Sequence, residues 1–148
     1  MLILDHLQDP GNLGTIMRAA EAAGVTGILM SSDCVDIYNP KTIRSTMGAL
    51  YRVPFVVSED FAGDIERLKK AGVSTYAAHL GATISYEGAD YKKPCAFMIG
   101  NEANGLSDEV AALADCKILI PMAGQVESLN AAMAATVLMF EAARQRRN

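Results

Sequence analysis

Residues 95–144 constrain the fold more than any other stretch. They read CAFMIGNEANGLSDEV and, after a short interval, CKILIPMAGQVESLNAAMAATVLMFEAAR. Two apolar runs, 95–99 and 118–122, each end in a polar loop, and each loop feeds a helical pattern. Runs this short, with no polar residue alternating through them, fit parallel strands covered on both faces. The chain has to turn at Gly100-Asn101 and at Ala123-Gly124. In open α/β sheets ligands gather where strands end at the carboxyl edge. Asn101, Glu102, Gly105, Ser128 and Asn130 stand at two such edges and form the expected site.

The remaining segments repeat this alternation. Residues 1–7 (MLILDHL) read as a strand, and no signal peptide is expected because the apolar start runs straight into Asp5 and His6. Asp9-Pro10-Gly11 is turn chemistry, and Asn12 is placed to cap the helix that follows. Leu13, Ile16, Met17 and Ala20 recur at helical spacing and face the core. Arg18, roughly 140° from Leu13 at about 100° per residue, lies off that stripe. Gly24 closes the helix. Residues 25–31, 53–58 and 74–80 are further strands. Asn39-Pro40 starts a helix expected to run through Leu50, and 61–71 is amphipathic with Ile65 and Leu68 inward. Residues 83–93 read as a surface connection. The sum is an α/β fold: a mostly parallel six-stranded sheet with helices on both faces.

The last helix, expected over 129–143, has Glu141 as its only charged residue. Leu129, Met133, Val137 and Phe140 make one stripe, and Leu138, Met139 and several alanines cover the other faces. A helix apolar nearly all round is buried on more than one side. It is therefore expected to pack on its own sheet and on a second subunit, with Leu138 and Met139 at the subunit contact. Arg144, Arg146 and Arg147 put positive charge where the helix dipole favours it.

A net charge of −4 over 148 residues gives one domain without a global basic field. Three cysteines and two histidines lie far apart with no ligand spacing, so no metal is expected. Cys95 and Cys116 read as buried thiols of a reducing, cytoplasmic compartment. No apolar run is long enough for a membrane span. There is no GxxxxGK[ST], no GxGxxG after the first strand and no GxSxG elbow. Polar, uncharged loops suit a ligand read through hydrogen bonds. On pattern alone Asn12 is a helix cap, Arg18 a solvated charge and His79 a strand residue. Lys41, Arg44 and Arg52 form a small cationic cluster, either surface charge or a phosphate contact.

PGNLGTIMRAAEAAG, IGNEANGLSDEV and IPMAGQVESLNAAMAATVLMFEAAR resemble, in order and spacing, the three motifs of the SpoU (TrmH-like) branch of the SPOUT RNA methyltransferases. PKTIRSTMGALYRVPF, between the first two, is also similar to that family, and the resemblance covers nearly the whole chain. It implies an α/β fold with a deep trefoil knot at the C-terminal end and S-adenosylmethionine bound there. It implies a homodimer through the C-terminal helix, and methyl transfer to a ribose 2′-hydroxyl of rRNA or tRNA, with no metal and no membrane. Roles come with it. Asn12 and Arg18 match the polar pair of the first motif, Glu102 the acid of the second, and Ser128 and Asn130 the polar pair of the third. These five are the implied catalytic residues. Leu80, Gly100, Asn101, Ile120, Met122, Ser128 and Leu129 are implied to hold the cofactor, and Arg18, Lys41 and Arg44 to meet RNA.

A ribose hydroxyl is a weak nucleophile whose proton must be removed or whose oxyanion must be stabilised. Arginine stays protonated, so Arg18 is expected to lower the hydroxyl pKa and hold phosphate rather than act as a base. Members with this first motif carry an extra N-terminal RNA-binding domain that has no counterpart here, and the acidic balance does not favour strong autonomous RNA binding. The chain, 1–148, is thus expected to be the catalytic domain of a longer enzyme. Two other classes stay open: a non-catalytic cofactor- or RNA-binding assembly domain, and a nucleotide-binding α/β enzyme of another kind.

Overall fold

The computed structural model describes residues 1–147. Seven parallel strands form one sheet: β1 (Leu2–Leu4), β2 (Ile28–Ser31), β3 (Phe55–Ser58), β4 (Ser74–Ala78), β5 (Ile84–Ser85), β6 (Cys95–Ile99) and β7 (Cys116–Leu119). Their order across the sheet is β3-β2-β1-β6-β4-β7-β5. Among the described residues five α-helices accompany the sheet: α1 (Pro10–Ala22), α2 (Pro40–Thr46), α3 (Phe61–Lys70), α4 (Asp108–Ala111) and, after the last strand, α5 (Ala131–Arg147). No helix among the described residues is long and apolar enough to cross a membrane.

Side chains of a strand alternate between faces, and here both faces are covered. Leu2, Leu4, Met30, Phe97 and Ile99 join the buried side chains of α1 and α5 on one side. Ile3, Leu29, Ala96 and Met98 join Ile65 of α3 and Val110 of α4 on the other. This double burial is why β6 reads CAFMI without a polar residue.

The sheet has one strand more than the six expected. The extra strand, β5, lies in the segment read as a surface connection, where Ile84 and Ser85 pair with Ile118 and Leu119. The same segment sends Tyr91 into the core with no exposed surface. Its ring meets Tyr76 and Phe97 at centroid distances of 5.0 and 4.9 Å, and its hydroxyl donates to the Tyr86 carbonyl at 2.5 Å. Glycine, charges and lysines around a lone tyrosine disguise a core position.

Other boundaries shift for local reasons. The seventh strand covers Cys116–Leu119, not 118–122. Its register is set earlier, where the Asp115 carboxylate accepts from the Thr75 amide (2.8 Å) and hydroxyl (3.0 Å), and Pro121 has no N–H to continue a ladder. α2 ends at Thr46 rather than Leu50, because Met47 and Gly48 turn into the left-handed region and a short 3₁₀ turn, Ala49–Tyr51, follows. α1 is capped by Asp9, whose carboxylate accepts from the Asn12 amide at 2.8 Å, so Asn12 is not the cap. Gly24, at φ +74°, does close that helix. α1 and α2 cross at Gly14, where a Cβ would stand 2.2 Å from the Ser45 Cβ.

The orientation of α5 corrects the expected one. Leu138 and Met139, assigned to a subunit contact, are buried against this chain's own sheet together with Ala132, Ala135 and Ala142. The small alanines let the helix approach α1 closely. Met133 (58% exposed) and Phe140 (40%) face away from the core. The helix tail is held by carbonyls: Arg146 donates to those of Tyr91 (2.9 Å) and Lys93 (3.0 Å), and Gln145 to that of Ala89 (3.1 Å).

Leu138→Ala is expected to cost about 2–5 kcal/mol of stability. Urea denaturation checks this, and a cost within about 0.5 kcal/mol, the scale of a surface substitution, would reverse the assigned helix face.

Candidate functional site at the carboxyl edge of the sheet

The carboxyl ends of β1, β4, β6 and β7 converge on one region. β6 ends in Gly100, where an added Cβ would lie 2.0 Å from the Leu106 nitrogen and 2.1 Å from the Gly105 carbonyl carbon. Only glycine lets the following loop fold back this tightly. Asn101 and Gly105 close the loop with two main-chain hydrogen bonds, 3.0 and 2.9 Å. The Asn101 side-chain oxygen accepts from the amides of Ala103 (2.9 Å) and Asn104 (3.2 Å), and its nitrogen donates to the His6 carbonyl at 2.9 Å. Asp5, nearly buried at the end of β1, accepts from the amide (3.0 Å) and hydroxyl (3.1 Å) of Ser107.

Glu102 sits at the tip of this loop. Its carboxylate accepts from the amides of Asp9 (2.9 Å) and Gln8 (3.1 Å) and from the Asn12 side chain (3.4 Å). Asn12 in turn accepts from the Asn130 side chain at 3.1 Å. The Asn130 oxygen caps α5, accepting from the amides of Ala132 (2.9 Å) and Met133 (3.2 Å). Asn130 is therefore the cap, and Ser128 is free of that task. One line of hydrogen bonds, Glu102–Asn12–Asn130, ties together the three loops that carry the three motifs.

Behind this line lies a cavity of about 470 Å³. All seven residues expected to hold a cofactor line it: Leu80, Gly100, Asn101, Ile120, Met122, Ser128 and Leu129. Glu102 stands at its wall as well. Asn12 and Asn130 reach it only through Glu102 and the α5 cap. Arg18 is exposed on α1, outside the cavity wall, and its side chain makes no hydrogen bond or ion pair among the described residues. Lys41 and Arg44 are exposed on α2. Arg52 is different, because it is paired with Glu21 and so is removed from the cationic cluster. His79, Asn104 and Glu127 also line the cavity. His79 arrives there because β4 lies between β6 and β7, a neighbourhood that sequence order does not show. A second cavity of similar size, lined by Ile28, Phe55 and Leu68, opens at the amino end of the strands and contains none of the motif residues.

Burial pushes the Glu102 carboxyl up, but the amides of Asp9 and Gln8, its own amide and the Asn12 side chain together hold it below its ordinary value. A depressed carboxyl stabilises the fold above its unfolded-state pKa of about 4.3, and that contribution fades as the pH falls through the folded-state value. The stability difference between the parent and Glu102→Gln should therefore be largest near neutral pH and shrink below about pH 4. Denaturant melts at pH 7 and pH 3.5 measure it; a difference independent of pH would mean that the charge on Glu102 contributes nothing.

The profile of the SpoU rRNA Methylase family matches residues 1–140. An uncharacterised tRNA/rRNA methyltransferase of Synechocystis is 41% identical over 97% of this chain and 53% of its own length. The 23S rRNA (guanosine-2′-O)-methyltransferase RlmP of Bacillus subtilis is 35% identical over 95% of this chain and 56% of its own. The chain thus spans about half the length of the curated relatives it matches. Among solved structures, AviRb of Streptomyces viridochromogenes in complex with AdoMet superposes with a TM-score of 0.91 at 35% identity, over 99% of this chain and 60% of that one. An AdoMet-bound rRNA methyltransferase of Sinorhizobium meliloti gives 0.89 at 40% identity, over 97% and 55%. With nearly its full length matched in sequence and superposed in space, the chain belongs to the SpoU rRNA methylase family.

Proposed function

We propose that this chain is the catalytic domain of an S-adenosylmethionine-dependent methyltransferase that modifies a ribose 2′-hydroxyl of rRNA or tRNA. The observation that carries the reading is the line Glu102–Asn12–Asn130, which joins one residue from each motif, with Glu102 in the wall of one cavity. The cavity suits the cofactor. Its volume lies within the range of small-molecule sites, and its wall mixes apolar side chains with loop backbone. When bound, the cofactor supplies a methyl group on a sulfonium, an electrophile that needs little further activation.

The chain's own residues do the rest. Leu80, Ile120, Met122 and Leu129 exclude water, and the loop after Gly100 offers main-chain groups to orient the ligand. Ser128 adds a hydroxyl at the same wall. Arg18, charged and without a protein partner among the described residues, binds the target's phosphate and stabilises the developing alkoxide. Lys41 and Arg44, on the helix that crosses α1 at Gly14, extend this charge toward flanking phosphates. Glu102 and Asn130 act by fixing Asn12 and the loops, since their acceptors are already engaged.

The relatives' greater length supports a longer enzyme whose remaining part selects the RNA, working on ribosomes or tRNA in the cytoplasm. The apolar outer face of α5, with Met133 and Phe140, supports a homodimer through that helix. The knot belongs to the same reading, supported by β6 inserting between β1 and β4, and β7 between β4 and β5.

Calorimetric titration with S-adenosylhomocysteine should give saturable binding, and Gly100→Ala should abolish it. Absence of binding by the folded parent would favour a non-catalytic assembly role. Arg18→Ala is expected to bind the cofactor within about twofold of the parent and to lose at least 100-fold in transfer to a 23S rRNA transcript, the scale of losing a charge-stabilising donor. Transfer at the parental rate would remove Arg18 from the mechanism. Met133→Glu should stay folded and halve the mass seen in light scattering; an unchanged mass would move the dimer contact off α5.

A further inference from the structure

His6 is the least expected residue at the carboxyl edge. It follows β1 with φ +53°, a left-handed conformation that non-glycine residues seldom adopt. The conformation is held from both sides. The His6 amide donates to the Ser31 hydroxyl at 2.8 Å, and its carbonyl accepts from Asn101 at 2.9 Å. Non-glycine residues held this way cluster at functional sites. The consequence for the side chain is specific. Nδ1 of the imidazole lies 2.8 Å from the Asp33 carboxylate, and the other Asp33 oxygen accepts from the Ser31 hydroxyl at 2.5 Å. Ser31 first and His6 after it hold Asp33 below its ordinary carboxyl pKa against a smaller opposing effect of burial, so the carboxylate is an acceptor only.

An ionised carboxylate at Nδ1 fixes the proton of a neutral imidazole on that nitrogen, and Nε2 is left with a bare lone pair. The ring is half exposed (49%), and Nε2 has no hydrogen-bond partner among the described residues. Its backbone is joined to Asn101, which lines the cofactor cavity, and residues 8 and 9 are clamped by Glu102. A fixed, exposed acceptor beside this cavity calls for a donor on the substrate. On the backbone of a nucleic acid the phosphates only accept, and the ribose 2′-hydroxyl is the donor that RNA has and DNA lacks.

We infer that His6, oriented by Asp33, is a substrate-contacting residue whose Nε2 accepts a hydrogen bond from the 2′-hydroxyl of a nucleotide flanking the target, and so selects RNA over DNA. The inference rests on the RNA-methyltransferase reading above.

The test uses fluorescence anisotropy of the intact protein, saturated with S-adenosylhomocysteine, binding labelled U12 RNA and the matching deoxyuridine 12-mer. The parent should prefer the RNA. His6→Gly, which adopts the same backbone without strain, should weaken RNA binding about 3- to 10-fold, the scale of one hydrogen bond, and leave DNA binding unchanged. Asp33→Asn should do the same while keeping the ring. With Ser31 holding the amide oxygen, the amide nitrogen faces Nδ1 and moves the ring proton to Nε2. Thermal melts establish that both variants fold, and if His6→Gly does not, Asp33→Asn decides. An RNA-to-DNA ratio unchanged in the folded variants, or RNA and DNA weakened equally, would overturn the role of His6 alone. Failure of the parent to bind the RNA while it still binds S-adenosylhomocysteine would overturn the role of His6 and leave the methyltransferase reading standing; failure to bind S-adenosylhomocysteine as well would overturn the reading on which it rests.

Discussion

The carboxylate of Glu102 holds the functional edge of this molecule together. A carboxylate has only acceptors, and these are met by main-chain amides of the β1–α1 loop and by the Asn12 side chain. Charged acceptors strengthen such hydrogen bonds to roughly twice those of neutral pairs. The loop after β6 is thereby fastened to the start of α1, more than 90 residues away in sequence. Asn12 then passes the restraint to Asn130 and to the first turn of α5. Loops are ordinarily the mobile parts of an α/β domain. Here three of them are joined by side chains, so the cavity wall between them is preorganised, which lowers the ordering cost of binding.

The sheet order gives that clamp its purpose. With β6 inserted between β1 and β4, and β7 beside β4, strand ends far apart in the chain become neighbours at one edge. Gly100 lets the chain fold back at the end of β6, where any side chain would collide with the returning backbone. After β1, His6 rather than glycine takes up a left-handed backbone, at an energetic cost on the order of 1–3 kcal/mol that its hydrogen bonds offset. A residue retained in that conformation offers a side chain where glycine would offer none.

Which residues share one cavity was more legible in the sequence than their structural duties. All seven residues that the family resemblance implied around a cofactor line one cavity, because the ends of β4, β6 and β7 and the loop into α5 meet at the carboxyl edge. Capping was harder to assign. Asn12 and Asp9 are both good caps and lie three residues apart, and Pro10 at the first helical position settles the choice for Asp9. Ser128 and Asn130 pose the same ambiguity, resolved for Asn130. In each pair the polar residue not used for capping, or used only through its other atom, is turned to the site.

Local pattern alone determined that this chain is an α/β domain, where most of its strands and helices lie, and which loops bear the polar residues of the site. These follow from short-range rules: the burial demanded of apolar runs, turn chemistry, and the periodicity of 3.6 residues. Tertiary structure decided what depends on neighbours distant in the chain. It paired Ile84 and Ser85 as a seventh strand, drew Tyr91 into the core, and turned Leu138 and Met139 inward while leaving Met133 and Phe140 outside. A helix apolar on every side carries no record of which face will meet the sheet. Only the packing of its alanines against α1, and the capture of its tail by the carbonyls of Tyr91 and Lys93, selects the rotation about its axis.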